Sequence, residues 1–372
     1  MTMLQEDKKN RQREQWIDYA RICAICCVVL CHATQEYYNG ILNGTQHVRF
    51  LYWGLETAFF TVGRLGVPIF LAISGTLLLN REKNVFQFYK KSLVSMIVST
   101  EIWTVFNYFF VCIVYDREVI IPDLIKEMLF MKDGELSHMW YMPMIIGMYV
   151  FLPFLSKIIN QYGSLKYYII PMTIVWIDTM LIPTINVFYN RTVMQDESLE
   201  SLVFLPDVSF GGGAYGLYII LGYFIGRKKL LKRIKTRFLL LAAAVLFAVN
   251  TAGQYYLYSN GYFSSGSMLW YNIIPIFVIG LTLFELIRRH QQLIGNCVSM
   301  INTSLLARCS FGIYLLHKPV MVLCAKYVPL EGINVILKIA FLFVAGFGIS
   351  LVILLPFYFK WKRAGKIIFL LK

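Results

Sequence analysis

Polar and apolar positions in this chain alternate on the scale of whole segments rather than of helix faces. Runs of about twenty mainly apolar residues recur, each long enough to carry a helix across the roughly 30 Å hydrocarbon layer of a bilayer. Ten such runs fall near 16–38, 51–79, 88–115, 139–159, 167–189, 213–226, 238–259, 268–287, 308–328 and 333–357. The sixth is short unless 202–212 extends it. The pattern predicts an all-α, polytopic membrane helix bundle of about ten transmembrane helices. The expected organisation is a polar N-terminal tail (1–15), one transmembrane domain (16–359) and a basic C-terminal tail (360–372). Neither an internal repeat nor an appended soluble domain is visible, so any chemistry belongs to the membrane part itself.

Composition agrees. The 372 residues are 58% hydrophobic and 15% charged, with mean hydropathy +0.60, well outside the soluble range of roughly 45–50% apolar and 25% charged. The net charge of +14 would suit nucleic acid if it gathered on one soluble surface. Instead the basic residues form short clusters between apolar runs: Lys8 to Arg13, Arg81 to Lys91, GRKKLLKRIKTR (226–237), IRRH (287–290) and KWKRAGK (360–366). That is the positive-inside pattern. It places both termini in the cytosol and argues for a lipid bilayer, not nucleic acid, as the partner; the 226–237 loop is expected to touch anionic lipid. The eight cysteines lie mostly inside apolar runs, where a small polarisable residue packs well, and no ligand set accompanies Cys23, Cys27 and Cys31, so no metal is expected. The first run lacks a cleavage site and reads as a retained helix. The outer loops 116–138 and 190–200 carry carboxylates and are either covers for a cavity or plain connectors.

Against this background a few polar residues need a reason to be present, since ionisable side chains are costly in hydrocarbon. Arg21 and His32 are eleven positions apart, which on a helix is about 20° past three full turns and roughly 16 Å along the axis. They share a face, with Arg21 at the cytosolic mouth and His32 deeper. Asp18 and Glu36 sit at helical spacing from them. A cation at the mouth suits a phosphorylated donor, and a histidine, ordinarily titrating near 6.5, suits proton transfer. The competing reading is a snorkelling arginine and a histidine bonded to a backbone carbonyl.

Arg64 lies too deep in its run to snorkel easily. Pro68 cannot donate to the Arg64 carbonyl, so the helix should kink or break there. Ser74 and Gly75 follow, and close packing accounts for them as well as substrate contact does. His138, Trp140 and Tyr141 open the fourth run, either as an interfacial anchor or as a place where a sugar-like acceptor stacks and hydrogen-bonds. His317 and Lys318 interrupt the ninth run, which should therefore face a cavity. Glu101 and Asp178 have no assigned role.

Taken together, Arg21-x10-His32, R-x-G-V-P-x-F-x-x-x-S-G at 64–75, H-x-W-Y at 138–141 and S-F-G-I-Y-L-L-H at 310–317 resemble the integral membrane acyltransferase family three. That family includes bacterial O-acetyl- and O-succinyltransferases of surface polysaccharides. The resemblance implies a bundle of roughly ten helices in the bacterial cytoplasmic membrane, with acyl-coenzyme A (acetyl or succinyl) as cytosolic donor and a surface or lipid-linked glycan as acceptor. The family's Arg-x10-His pair falls on Arg21 and His32, and its second-helix arginine on Arg64. No bound cofactor is expected. The chemistry is expected on His32, Glu36 and Arg64, with His32 as general base or as transient acyl carrier. Substrate contacts are expected from Arg21, Ser74, His138, Trp140, Tyr141 and His317. A transporter or binding bundle without acyl transfer is the alternative, disfavoured by the lack of a matching broken helix in the second half.

Overall fold

A computed structural model describes residues 14–42, 50–192, 213–260 and 268–371, apart from a few side chains near helix ends and that of Glu36. Every expected apolar run lies on helix, and no strand occurs among the described residues. The helices are α1 (Gln15–Leu42), α2 (Phe50–Arg64), α3 (Gly66–Leu78), α4 (Val85–Tyr115) and the short outer α5 (Ile121–Met128). A 3-10 turn, Ser137–Trp140, leads into α6 (Tyr141–Gln161). Helix α7 runs through Ile169–Trp176, a π turn at Ile177–Leu181 and Ile182–Thr192. There follow α8 (Gly213–Gly226), α9 (Thr236–Ser259), α10 (Ile274–Arg289), α11 (Thr303–Tyr327), α12 (Val335–Phe359) and α13 (Lys362–Ile368). Among the described residues, seven helical segments are long and apolar enough to cross a membrane. The shorter α8 and α10 and the polar α11 complete the expected ten.

Helix α1 is the axis of the bundle, in contact with α2, α3, α10, α11 and α12. Its inward residues are small or branched: Ala20, Ala24, Ile25, Val29 and Ala33 are fully buried. The break expected from Pro68 falls at Leu65, because the missing N–H of Pro68 leaves the Arg64 carbonyl without its helical donor and ends α2 there. Two glycines flank the break and let it press on α1. A Cβ on Gly63 would stand 2.5 Å from Cys31 Cα, and one on Gly66 would stand 2.6 Å from the Ala24 carbonyl oxygen. Below the break, α3 packs tightly on α8. There a Cβ on Gly75 would overlap the Ile219 carbonyl, and one on Gly222 would overlap the Ala72 backbone. Thr76 Oγ1 donates to the Gly222 carbonyl at 2.8 Å.

The end of the bundle that carries the basic clusters is tied together by buried charge. Glu285, fully buried, accepts from Arg288 (2.9 and 2.8 Å) and from Arg289 (2.5 Å). Arg289 also donates to the carbonyls of Ile234 and Leu231, so part of the basic 226–237 loop is held by protein. Helix α13 folds back under α4: the Ile368 carbonyl accepts from Ser99 Oγ at 2.7 Å and Trp103 Nε1 at 3.0 Å. The C-terminal segment is thus a docked helix followed by buried Phe369 and Leu371.

Replacing Gly75 with valine should push α3 off α8 and lower stability by about 1–3 kcal/mol or more, the usual cost of overpacking. Thermal unfolding of the purified protein in detergent measures this, and an unchanged midpoint would show that the crossing has slack.

Candidate functional site

The break in the second run, the axis helix and the start of α6 meet around a cavity of about 250 Å³. At the end nearer the basic clusters the walls include Arg21, Leu78, Arg308 and Leu370. At its far end they include His32, His138, Trp140, Tyr141 and Tyr271. Arg21 and His32 therefore lie on one continuous space, as their shared face on α1 requires. Ser74 also lines it and spends its hydroxyl on the Phe70 carbonyl at 3.0 Å. Arg21 pairs with buried Asp18 at 3.5 Å.

Three imidazoles converge at the far end. The His32 ring centroid stands 5.2 Å from that of His317 and 6.2 Å from that of His138, and His138 and His317 are 5.2 Å apart. Their hydrogen bonds fix two of the tautomers. His32 Nδ1 is 3.0 Å from the accepting oxygen of Gln35, so Nδ1 carries the proton and Nε2 keeps its lone pair. His317 Nδ1 lies 2.7 Å from the Tyr314 carbonyl and 3.1 Å from that of Ile313, so again Nδ1 donates. Its Nε2 is buried with no hydrogen-bond partner. Neither ring nitrogen of His138 makes a hydrogen bond of good geometry. Pro319 inside α11 leaves the Leu315 carbonyl without a helical donor beside His138. The Tyr314 hydroxyl donates to the His138 carbonyl at 2.7 Å and holds the start of α6 against α11.

Arg64 stands behind this wall rather than in the cavity. Its guanidinium lies over Phe60 (4.6 Å), Trp270 (4.9 Å) and Tyr271 (5.4 Å), and Nη1 donates to the Tyr271 hydroxyl at 3.2 Å. It is 5% exposed, and Lys318 is 6% exposed; both cations act electrostatically on His32. His317 likewise reaches the site through His32 and His138. The side chain of Glu36 lies outside the described residues. Gln35, three positions after His32, holds the imidazole; the same helical-neighbour logic that selected Glu36 at i+4 reaches Gln35 at i+3. Arg308 and the Trp270-Tyr271 pair were missed as well. The second Trp-Tyr pair repeats the dipeptide of Trp140-Tyr141, a signal that the sequence does carry. Glu101 and Asp178 are half-buried, outside the cavity wall; His290 caps the end of α10, and His47 and the loop 190–200, except its first three residues, lie outside the described residues.

With this geometry in view, the chain is a multi-pass membrane protein whose residues 14–355 match the family model described as an acyltransferase domain. It belongs to acyltransferase family 3. No curated protein and no solved structure matches it.

The outer loop leading to His138 has its own electrostatics. Glu127 of α5 is 3% exposed and lies 3.6 Å from Lys132. Burial, then the charge of Glu135, raises its carboxyl from 4.5 to about 7, with Lys132 opposing. The folded protein therefore holds this proton more tightly than the unfolded chain. Stability from this group is full below about 4.5 and is lost as pH rises through about 7. Hydrogen exchange of residues 116–136 should speed up across that window beyond its intrinsic pH dependence, and Glu127→Gln should flatten the excess.

Proposed function

We propose that the protein is an O-acyltransferase moving an acetyl or succinyl group from cytosolic acyl-coenzyme A to a hydroxyl of a cell-surface or lipid-linked glycan at the bacterial cytoplasmic membrane. The observation that carries this is the single cavity running from Arg21 and Arg308 to His32. The phosphates of the donor would lie at the two arginines, which supply fixed charge at the cytosolic end. The thin pantetheine arm would follow the apolar wall formed by Leu78, Phe70 and Val67, bringing the thioester to the three histidines.

The tautomers suit the chemistry. Nε2 of His32, with its lone pair in the site, takes the proton of the acceptor hydroxyl as the oxygen attacks the thioester carbon. The C–O bond forms and negative charge collects on the former carbonyl oxygen. As the tetrahedral species collapses the C–S bond breaks, and the imidazolium returns its proton to the departing thiolate. Gln35 keeps Nδ1 protonated and the ring aimed. The buried cations Arg64 and Lys318 supply a fixed positive field at the stage when charge peaks, which is worth more in a dry site than in water. His317 Nε2 offers an acceptor to the incoming hydroxyl, and His138 a ring nitrogen to either substrate.

His32→Ala should reduce turnover by about 10²–10⁴-fold and remove ester-linked acyl groups from surface glycans, as read by mass spectrometry. Ester levels that match wild type with a folded variant would end the role given to His32. Gln35→Leu should fall between these two, by about tenfold or more. Gln35→Glu should restore activity and shift the acidic limb of the pH–rate profile, which a purely structural glutamine would leave in place.

A further inference from the structure

Two helices begin at the level of the histidine cluster instead of at the outer surface. Helix α10 has 16 residues, about 24 Å against a hydrocarbon layer of roughly 30 Å. It ends in a basic cytosolic segment, so the shortfall is on the outer side. Helix α6 starts from the turn that sets His138 beside His32. By contrast α1 continues from His32 to Leu42, about 15 Å further out. Helix α9 continues from Asn250, whose amide donates to Thr61 at 3.4 Å, to Ser259, about 13 Å further out.

Where these helices begin, the two Trp-Tyr pairs come together. Trp140 lies flat on Tyr271 (5.4 Å, 28° between planes) and meets Trp270 at 6.0 Å and Tyr215 at 5.8 Å. Arg64 fixes the assembly from below. Trp270 is nevertheless 38% exposed. An exposed indole at the outer rim would be an interfacial anchor, but this one lies well below the rim, against the wall of the reaction cavity. Packing explains Trp140; it does not explain the open face of Trp270.

We infer that Trp270, with Trp140 and Tyr215, forms a platform on which a sugar ring of the acceptor stacks from the outer side, one residue layer from His32. The platform itself is aromatic and neutral, and among the described residues the buried polar atoms without a hydrogen-bond partner around it are Nε of Arg64, both ring nitrogens of His138 and Nε2 of His317. A pyranose matches this with an apolar C–H face for the indole and hydroxyl edges for the imidazoles. Anionic or lipid-chain ligands match it less well, since the nearby cation Arg64 is buried behind the aromatic rings, with Nη1 bonded to Tyr271. The inference rests on the acyl transfer proposed above and names where the acceptor binds.

The test separates the two. Saturation-transfer NMR is run on the full-length protein in detergent with methyl glycosides of glucose, galactose, rhamnose and N-acetylglucosamine. Acetyl- and succinyl-coenzyme A turnover is measured in parallel with the same glycosides. At least one glycoside should bind wild type through its ring C–H protons. Trp270→Ala should weaken that binding, or raise the acceptor KM, at least about tenfold with the donor KM unchanged; Trp270→Phe should retain most of it. Glycoside binding without acyl turnover would sink the acyltransferase reading and leave the platform standing. Acyl turnover with an acceptor KM that Trp270→Ala leaves unchanged would overturn the platform, as would the absence of binding by all four glycosides. A Trp270→Ala protein that does not fold shifts the decision to Trp270→Phe and to Trp270→Leu, which keeps bulk but removes the flat face and should behave like alanine.

Discussion

Everything at the site depends on how closely the broken helix approaches α1. Gly63 and Gly66 lie on either side of the break, each with its Cα against the α1 backbone. In hydrocarbon a helix break leaves polar backbone that only protein or water can cover. Here the cover is α1 itself, with its alanines and cysteines. That contact sets Arg64 at the height of His32, and Tyr271 and the start of α10 follow from the Arg64 cage. Cys31 thus has a structural purpose: its small side chain leaves the surface of the axis helix low enough for Gly63 to press on it.

The arginine that the sequence marks as misplaced is reinterpreted by its surroundings. Stacked against three aromatic rings and bonded to a phenol, Arg64 is a post for Trp270 and Tyr271 and, in the proposed reaction, a source of field for the cavity. Each stacked contact of this kind contributes about 0.5–2 kcal/mol when desolvated. A lysine at this position keeps the charge and loses the flat surface that organises the rings.

Segment-scale hydropathy carried most of the architecture, because apolar length is a strong signal in a chain that must cross a bilayer. Arg21 and His32 were legible because helical geometry is fixed: eleven residues return to the same face whatever the neighbours. The histidine cluster was legible only in pieces. His138 and His317 stood out as polar interruptions, but nothing in 137–143 or 310–319 says that both turn toward His32. Gln35 was hidden because a glutamine near a charged residue is unremarkable and Glu36 drew the eye. Trp270-Tyr271 was hidden because aromatic residues at the start of a membrane helix normally mean an interface, and only the short length of α10 shows how far inward they lie. The break was legible from Pro68, because proline disrupts the carbonyl four residues back, here that of Arg64, where the helix ends.

The short outer reach of α6 and α10 also has an electrical meaning. Where water fills the space above the histidines, the low-dielectric path between the two aqueous phases shrinks to the stretch between Arg21 and His32. The membrane voltage then falls over about 16 Å instead of roughly 30 Å, and a charge carried along that stretch feels nearly all of it, about 2.3 kcal/mol per 100 mV. An acetyl group on the proposed route is indifferent to this. A succinyl group carries a carboxylate outward through a cytosol-negative field and is drawn along by it, so the energised state of the membrane would itself discriminate between donors.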